Sequence, residues 1–245
     1  MERRIVGLEG ADVLPFLQGL VTNDVLPLAK GKGLVWAGLL TPQGKYLADF
    51  FVGNDGGGLF LDLPEPMADG VLRRLTMYRL RADVRFVARE TGVVRGLGAA
   101  PEGALADPRH EALGWRLYGA GAEAQVDWDA IRVEAMVPES GIELVPEESY
   151  PLELGFERLR GVDFRKGCYV GQEVTARMKH KTELRKGLVR VALEAPVPVG
   201  TPVTAAGKEA GAVYTQSGGR GLAWLRFDRT EGAMEAAGGA VRLAP

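Results

Sequence analysis

Beyond Leu184 the chain changes habit, and that change constrains its architecture more than any other feature. Short runs of alternating apolar and polar residues follow one another closely: Lys186 to Leu193, Pro202 to Ala205, Glu209 to Gln216, Leu222 to Phe227 and Ala240 to Leu243. Glycine or proline punctuates each pair. A period of two marks a half-buried strand, and turn residues at this frequency read as a small all-β barrel. The sequence therefore divides near residue 184, into a body of residues 1–183 and a C-terminal barrel of residues 184–245.

The body mixes both periodicities. A strand candidate, Arg4 to Leu8, precedes an apolar helical run that opens at Gly10-Ala11-Asp12 and continues through Val13, Leu14, Phe16, Leu17 and Leu20. Thr22-Asn23-Asp24 breaks it. Such a triplet either lines the mouth of a cleft or ends the helix with Asp24 bonded to its own backbone. Leu34 to Leu40, Lys45 to Val52 and Leu59 to Leu63 are strands joined by tight turns, an antiparallel meander. Pro64 to Tyr78 has helical spacing, with Pro66 near its start. Arg81 to Arg89, Val93 to Leu97 and Gly114 to Tyr118 read as strands. Trp128 to Val137 reads as a helix stopped by Pro138, and Pro138 to Pro151 as an irregular connection. The sum is an α+β chain with mainly antiparallel sheets.

Charge and cysteine usage bound what such a chain does. Lysine plus arginine is 30 against 32 for aspartate plus glutamate, a formal net charge of −2, which argues against direct nucleic-acid binding. The basic run Arg73, Arg74, Arg79, Arg81 and Arg85 reads as solvated faces of a helix and strand. One cysteine excludes an internal disulfide and points to a reducing compartment. No charged-then-apolar segment precedes the first structured pattern, and no apolar run nears the length of a membrane span. The location expected on these grounds is the cytoplasm, with no membrane partner.

That cysteine lies in Lys166-Gly167-Cys168-Tyr169-Val170-Gly171-Gln172-Glu173. Flanking glycines suggest a tight loop, and Gln172 to about Lys179 a short helix with Glu173 in its first turn. A helix N-terminus together with Arg165 and Lys166 would stabilise a Cys168 thiolate, the form that attacks electrophiles and binds metals. A small buried hydrophobe is the other reading.

The stretch Phe164 to Glu173 resembles the signature of the YgfZ family, folate-binding relatives of the glycine-cleavage T protein, an aminomethyltransferase. Gly10 to Gly19, Thr22-Asn23-Asp24 and Gly44 to Asp49 are similar to the N-terminal region those proteins share. Ile131 to Ala135 with Pro138-Glu139 is similar to their shared helix and exit loop. The resemblance implies an aminomethyltransferase-like folate-binding body and a role in assembling or repairing iron–sulfur clusters of other proteins, tRNA-modifying enzymes among them. It implies tetrahydrofolate or a derivative as ligand, with Glu134 as pterin acceptor and Asn23 and Asp24 at the cleft. Lys166, Gly167, Cys168, Tyr169, Gly171, Gln172 and Glu173 form the motif loop. Cys168 would be one ligand of a transient iron–sulfur cluster. A cluster normally needs four ligands, so a partner (an iron–sulfur protein or assembly factor), a second copy of the chain or a small thiol supplies the rest. The basic cluster Arg177, Lys179, His180, Lys181, Arg185 and Lys186 is either a charged linker or a contact for a folate tail or an acidic partner. A folate-dependent aminomethyl transferase is the alternative. Asp69 is the counterpart of the T protein's aspartate by helix position only. Its flanks do not match, so no catalytic role carries over and a non-catalytic folate-binding protein is expected.

Overall fold

The computed structural model describes residues 2–121, 125–181 and 183–244. Strand β1 (Arg3–Glu9) leads to helix α1 (Val13–Gln18), and β2 (Gly33–Leu40), β3 (Tyr46–Asn54) and β4 (Leu59–Pro64) follow as the expected meander. Helix α2 (Glu65–Arg79) comes next, then β5 (Arg85–Ala88). These strands form one antiparallel sheet in the order β2-β3-β4-β1-β5. The strand expected over Arg81 to Arg89 is shorter because Leu80 adopts φ +48° and Ala82 N–H returns to the Arg79 carbonyl. Pairing therefore starts only at Arg85.

Successive side chains of a strand point to opposite faces, and here both faces are covered. Ala37, Leu39, Phe50, Val52, Leu61 and Leu63 face α1 and α2, joining Leu14, Leu17, Val71 and Leu75 in one core. Trp36, Leu40, Tyr46 and Phe51 face the other way, against Leu152, Phe156, Leu159 and Tyr169.

Strands β6 (Val93–Gly96), β7 (Leu105–Ala106) and β8 (Trp115–Tyr118) form a three-stranded sheet in the order β6-β8-β7. Helix α3 (Trp128–Ala135) is capped by the Asp127 carboxylate on Ala130 N–H at 2.9 Å and ends at Met136, φ +49°, two residues before Pro138. Helix α4 (Gln172–Lys181) has Glu173 in its first turn and Lys179, His180 and Lys181 in its last, the arrangement the helix dipole favours.

The C-terminal segment closes into a six-stranded barrel: β9 (Lys186–Leu193), β10 (Thr201–Ala205), β11 (Lys208–Ser217), β12 (Arg220–Arg226), β13 (Met234–Ala236) and β14 (Gly239–Leu243), in the order β10-β11-β12-β9-β14-β13. The sequence reading lacked β13, three residues whose pairing to β10 is what closes the barrel. Val191, Val203, Val213, Leu225 and Val241 fill its interior. The α+β reading with mainly antiparallel sheets and a small C-terminal barrel holds.

Candidate functional site

The motif loop crosses the second face of the main sheet and is anchored from both sides. Tyr169 is buried there. Gly171 has φ +85° and approaches the β2–β3 turn so closely that an added Cβ would lie 2.5 Å from the Thr41 carbonyl oxygen. Gly44 of that turn has φ +76°, and an added Cβ there would meet Val174 at 2.7 Å. The two glycines let the turn and the start of α4 touch backbone to backbone. Thr175, wholly buried, donates its hydroxyl to the Gly171 carbonyl at 3.3 Å.

Lys166 does not lie beside the thiol as the sequence suggested. Its side chain turns inward, and its Nζ donates to the Gln18 and Val21 carbonyls at 2.6 Å each, with the Tyr169 ring 5.1 Å away. These acceptors are carbonyls left free at and beyond the end of α1, so a buried ammonium is satisfied by a helix terminus. Burial lowers its pKa to about 8, against the raising influence of Asp24 and Asp163. Arg165 is 94% exposed at its side chain and sits 3.8 Å from Asp163. Cys168 itself is exposed and free, so the buried-hydrophobe reading does not describe it. Gln172 and Glu173 open α4, with Gln172 half-buried and Glu173 exposed.

Asn23 and Asp24 are near this loop but are already engaged. Asn23 Nδ2 donates to the Trp36 carbonyl at 2.8 Å and the Arg160 carbonyl at 2.6 Å, and its Oδ1 accepts from Asp24 N–H. Asp24 Oδ1 accepts from Gln18 Nε2 at 3.0 Å and Leu26 N–H at 3.1 Å. The triplet is a helix-ending turn that ties α1 to the segment leading into the motif. Glu134 lies elsewhere, on α3 against the barrel. Arg190 Nη1 donates to its Oε2 at 2.9 Å, and Arg220 Nη1 to its Oε1. Of the three residues assigned to folate, Glu134 thus stands on α3 against the barrel and Asn23 and Asp24 in the turn after α1, and each makes side-chain hydrogen bonds within the protein. Asp69 is an exposed helix residue paired with Arg4 at 2.5 Å.

The second face holds a cluster that the sequence reading missed. Arg3, Arg95, Arg109, Arg116 and Arg132 surround a cavity of about 30 Å³, closed by Phe51, Trp128 and Glu139. Three of the guanidiniums ring Phe51, at 5.6, 5.0 and 4.4 Å from its centroid for Arg3, Arg109 and Arg116. Buried acids balance them. Asp62 accepts from Arg3 Nε at 2.5 Å, Arg116 Nη2 at 2.9 Å and the Tyr118 hydroxyl at 2.9 Å. Asp107 takes Arg109 in two bonds, at 3.0 and 2.7 Å. Glu143, on the connection read as irregular, accepts from Arg132 Nη2 at 2.7 Å and from Thr215 N–H of the barrel at 3.1 Å. Burial works to raise the carboxyl pKa values of Asp62 and Asp107, yet the adjacent arginines hold both below the usual range. About 30 Å³ admits one or two waters, not a pterin. Arg116 Nε and Trp128 Nε1 are buried without a partner, which is what a water-holding pocket presents. The arginines escaped notice because they are scattered over 130 residues and only the fold collects them.

Among the described residues no group of three or more histidine, cysteine, aspartate or glutamate side chains is placed to hold a metal ion. Among them, too, no helix is long and apolar enough to cross a membrane.

Comparison with known proteins accords with this geometry. Residues 185–245 match the family described as CAF17, C-terminal beta-barrel domain. The chain is 31% identical to the mouse protein named iron-sulfur cluster assembly factor IBA57, mitochondrial, covering 95% of this chain and 78% of the mouse protein. The human protein of the same name is 30% identical with the same coverage. An IBA57 homolog from Mycosarcoma maydis is 33% identical over 76% of this chain, which spans only 54% of that relative's length. In fold, the chain matches the crystal structure of glycine cleavage system aminomethyltransferase T from Bartonella henselae with a TM-score of 0.76, covering 99% of this chain and 83% of that one at 14% identity. The aminomethyltransferase-like architecture is therefore the fold of this chain. The resemblance to the YgfZ family is approximate, since the matched relatives are IBA57 proteins. Their names carry the word mitochondrial, which overturns the cytoplasmic expectation. A lone cysteine selects reducing conditions, not an organelle.

Proposed function

We propose a function for a chain that belongs to the family of IBA57 iron–sulfur cluster assembly factors: it takes part in cluster assembly by presenting the Cys168 thiolate as one ligand of a cluster in transit to a client protein. The observation that carries this reading is the setting of Cys168, exposed and free at the tip of a loop whose flanks are fixed by Lys166 and by the Gly44–Gly171 approach. A rigidly held, accessible thiol is what a transfer ligand requires, because thiolate ligation needs access and a deprotonated sulfur. One thiolate leaves the remaining positions of a cluster to other molecules. The cluster is thus cargo shared with an iron–sulfur partner or assembly factor, and not a resident group of this chain.

The finer part of the reading adds tetrahydrofolate and client enzymes that modify tRNA. Support for folate is the aminomethyltransferase-like fold alone. The two arginines on Glu134 set a condition: an aminopyrimidine edge must displace Arg190 and Arg220 before that carboxylate can accept from it.

Anaerobic reconstitution with ferric iron, sulfide and glutathione tests the proposal. The wild-type protein should develop the visible absorption of an iron–sulfur cluster, and Cys168→Ser should not, while both unfold at the same denaturant midpoint. Equal absorption in the two proteins would remove Cys168 from the ligand set. Calorimetry with tetrahydrofolate on the wild type and Glu134→Ala tests the folate part separately.

A further inference from the structure

The opening strand of the barrel borders an open groove of about 480 Å³, lined by four cations, Arg185, Lys186, Arg226 and Arg229, against one acid, Glu209, with Ala210, Gly211 and Trp224 between them. Four cations meet there in a chain whose formal net charge is −2. Their internal neutralisation is weak. Arg185 is exposed and has no ion pair among the described residues. Arg226 pairs only with exposed Asp228 at 3.0 Å, an arrangement that contributes little in water. Arg229 spends one bond on the backbone carbonyl of Glu209. Lys186 stands 3.8 Å from Glu153, whose own carboxyl is pushed up by burial.

The groove neighbours α4, the helix that follows the cysteine loop. On α4, residues 173, 177, 180 and 181 share one face by helical spacing, and Arg177, His180 and Lys181 are exposed on it. The helix ends four residues before Arg185, and α4 and β9 both pack on the same 3-10 turn, Pro151–Leu154. The cations thus lie in a band along the C-terminal part of α4 and in the groove, on either side of that turn, with Glu173 at the end of the helix nearest Cys168 and Glu183 between helix and groove.

We propose that this band is a docking surface for an acidic segment of a partner protein, seated in the groove while the partner's cluster ligands meet Cys168. The inference rests on the reading of Cys168 as a shared ligand and adds the partner's chemistry: carboxylate side chains spaced along an extended segment. Charge complementarity of this kind sets encounter rate and register. Nucleic acid fits the groove less well. Single-stranded nucleic acid binds on aromatic platforms, and here the one aromatic ring of the lining, Trp224, is partly buried against the body core and has Lys186 Nζ over it at 4.2 Å.

Fluorescence anisotropy on the full chain tests the docking surface, with a labelled octaglutamate peptide, an octaglutamine control and a labelled oligouridylate as probes. Octaglutamate should bind at low salt and octaglutamine should not. The pair Arg185→Glu with Arg226→Glu should weaken octaglutamate binding by about tenfold or more. Arg73→Glu with Arg81→Glu changes the net charge equally, on α2 and just beyond its end, and should weaken it by less than about twofold. Arg185→Gln alone, at an exposed side chain, should give an intermediate loss. Cys168→Ser should leave peptide binding unchanged while cluster formation is lost, so failure of the docking surface and failure of the ligand assignment appear separately. Absent peptide binding, or equal loss in the two charge-reversed pairs, would overturn the proposal. So would oligouridylate binding more tightly than the peptide and being lost in the groove variant, because the groove would then serve nucleic acid.

Discussion

Gly44 Cα lies 3.1 Å from the point where Gly171 would carry a Cβ, so the turn between β2 and β3 and the start of α4 meet with no side chain between them. The motif loop is thereby fixed to the most buried strands of the body, and Cys168, three residues earlier, inherits a fixed position.

Gly171→Ala should be costly for this reason. The added methyl meets the Thr41 carbonyl at 2.5 Å on a backbone with φ +85°, combining overlap with a conformation that alanine resists. A loss of about 2–4 kcal/mol in urea unfolding is expected. Gly167→Ala, with φ +32° and nothing within 4 Å of the added methyl, should cost about 1 kcal/mol or less. Equal losses would show that the close approach is not the anchor.

Lys166 gives the protein a signature at alkaline pH. Burial brings its pKa to about 8 from 10.5, so between those values the unfolded chain binds more protons than the folded one. Stability then rises with pH through that window, and the cost of burying the charge is felt in full below pH 8. Lys166→Met removes the titration. Wild-type stability minus variant stability should increase by on the order of 1–3 kcal/mol from pH 7.5 to pH 10. A flat or falling difference would contradict the buried-ammonium description.

The arginine cluster predicts sensitivity at the acid end. Asp62 would titrate higher through burial, but Arg3 and Arg116 hold it low. A depressed folded pKa contributes stability above the unfolded value of roughly 4, and that stability is lost as pH falls through the folded value. Asp62→Asn leaves Arg3 without its counter-charge and Arg116 with only the longer pair to Asp107 at 3.5 Å, and should cost about 3–5 kcal/mol at pH 7. Its stability should also depend less on pH between 5 and 2 than the wild type's. Parallel acid profiles would show that Asp62 does not carry the linkage.

Two glutamates on the barrel-facing side separate exposed from buried pairing. Glu143 has a fully buried side chain and joins Arg132 to Thr215. Glu134 has a half-exposed one, shared by Arg190 and Arg220. Glu143→Ala should cost about 3–5 kcal/mol, and Glu134→Ala less than about 1 kcal/mol. Chemical denaturation of the two variants side by side checks the ordering, and a reversal would mean that Glu134 holds the barrel in place.

How much of this the sequence carried follows from range. The meander, the helices and five of six barrel strands rest on local periodicity and turn chemistry, and these were readable. β13 was not, because three residues are too short for a period. The motif loop was legible as a tight cysteine loop, yet the direction of Lys166 was not, since its acceptors lie 145 and 148 positions away. The roles of Glu134 and Asn23 were assigned by resemblance, whereas their hydrogen bonds depend on Arg190, Arg220, Trp36 and Arg160, partners that no local pattern announces; Asp24 bonds Gln18 and Leu26, within the local turn that was one of its two readings. The guanidinium cluster around Phe51 has the same cause: five arginines with no common spacing converge only in three dimensions.

The central claim is that Cys168 is an accessible ligand on a rigid loop. Alkylation of the folded protein with iodoacetamide, followed by mass spectrometry before and after cluster reconstitution, tests it most directly. The account predicts rapid modification of Cys168 in the cluster-free protein and protection once the cluster has formed, with reactivity restored when iron is chelated. Equal modification with and without the cluster would contradict ligation by Cys168, and modification only on unfolding would contradict its exposure.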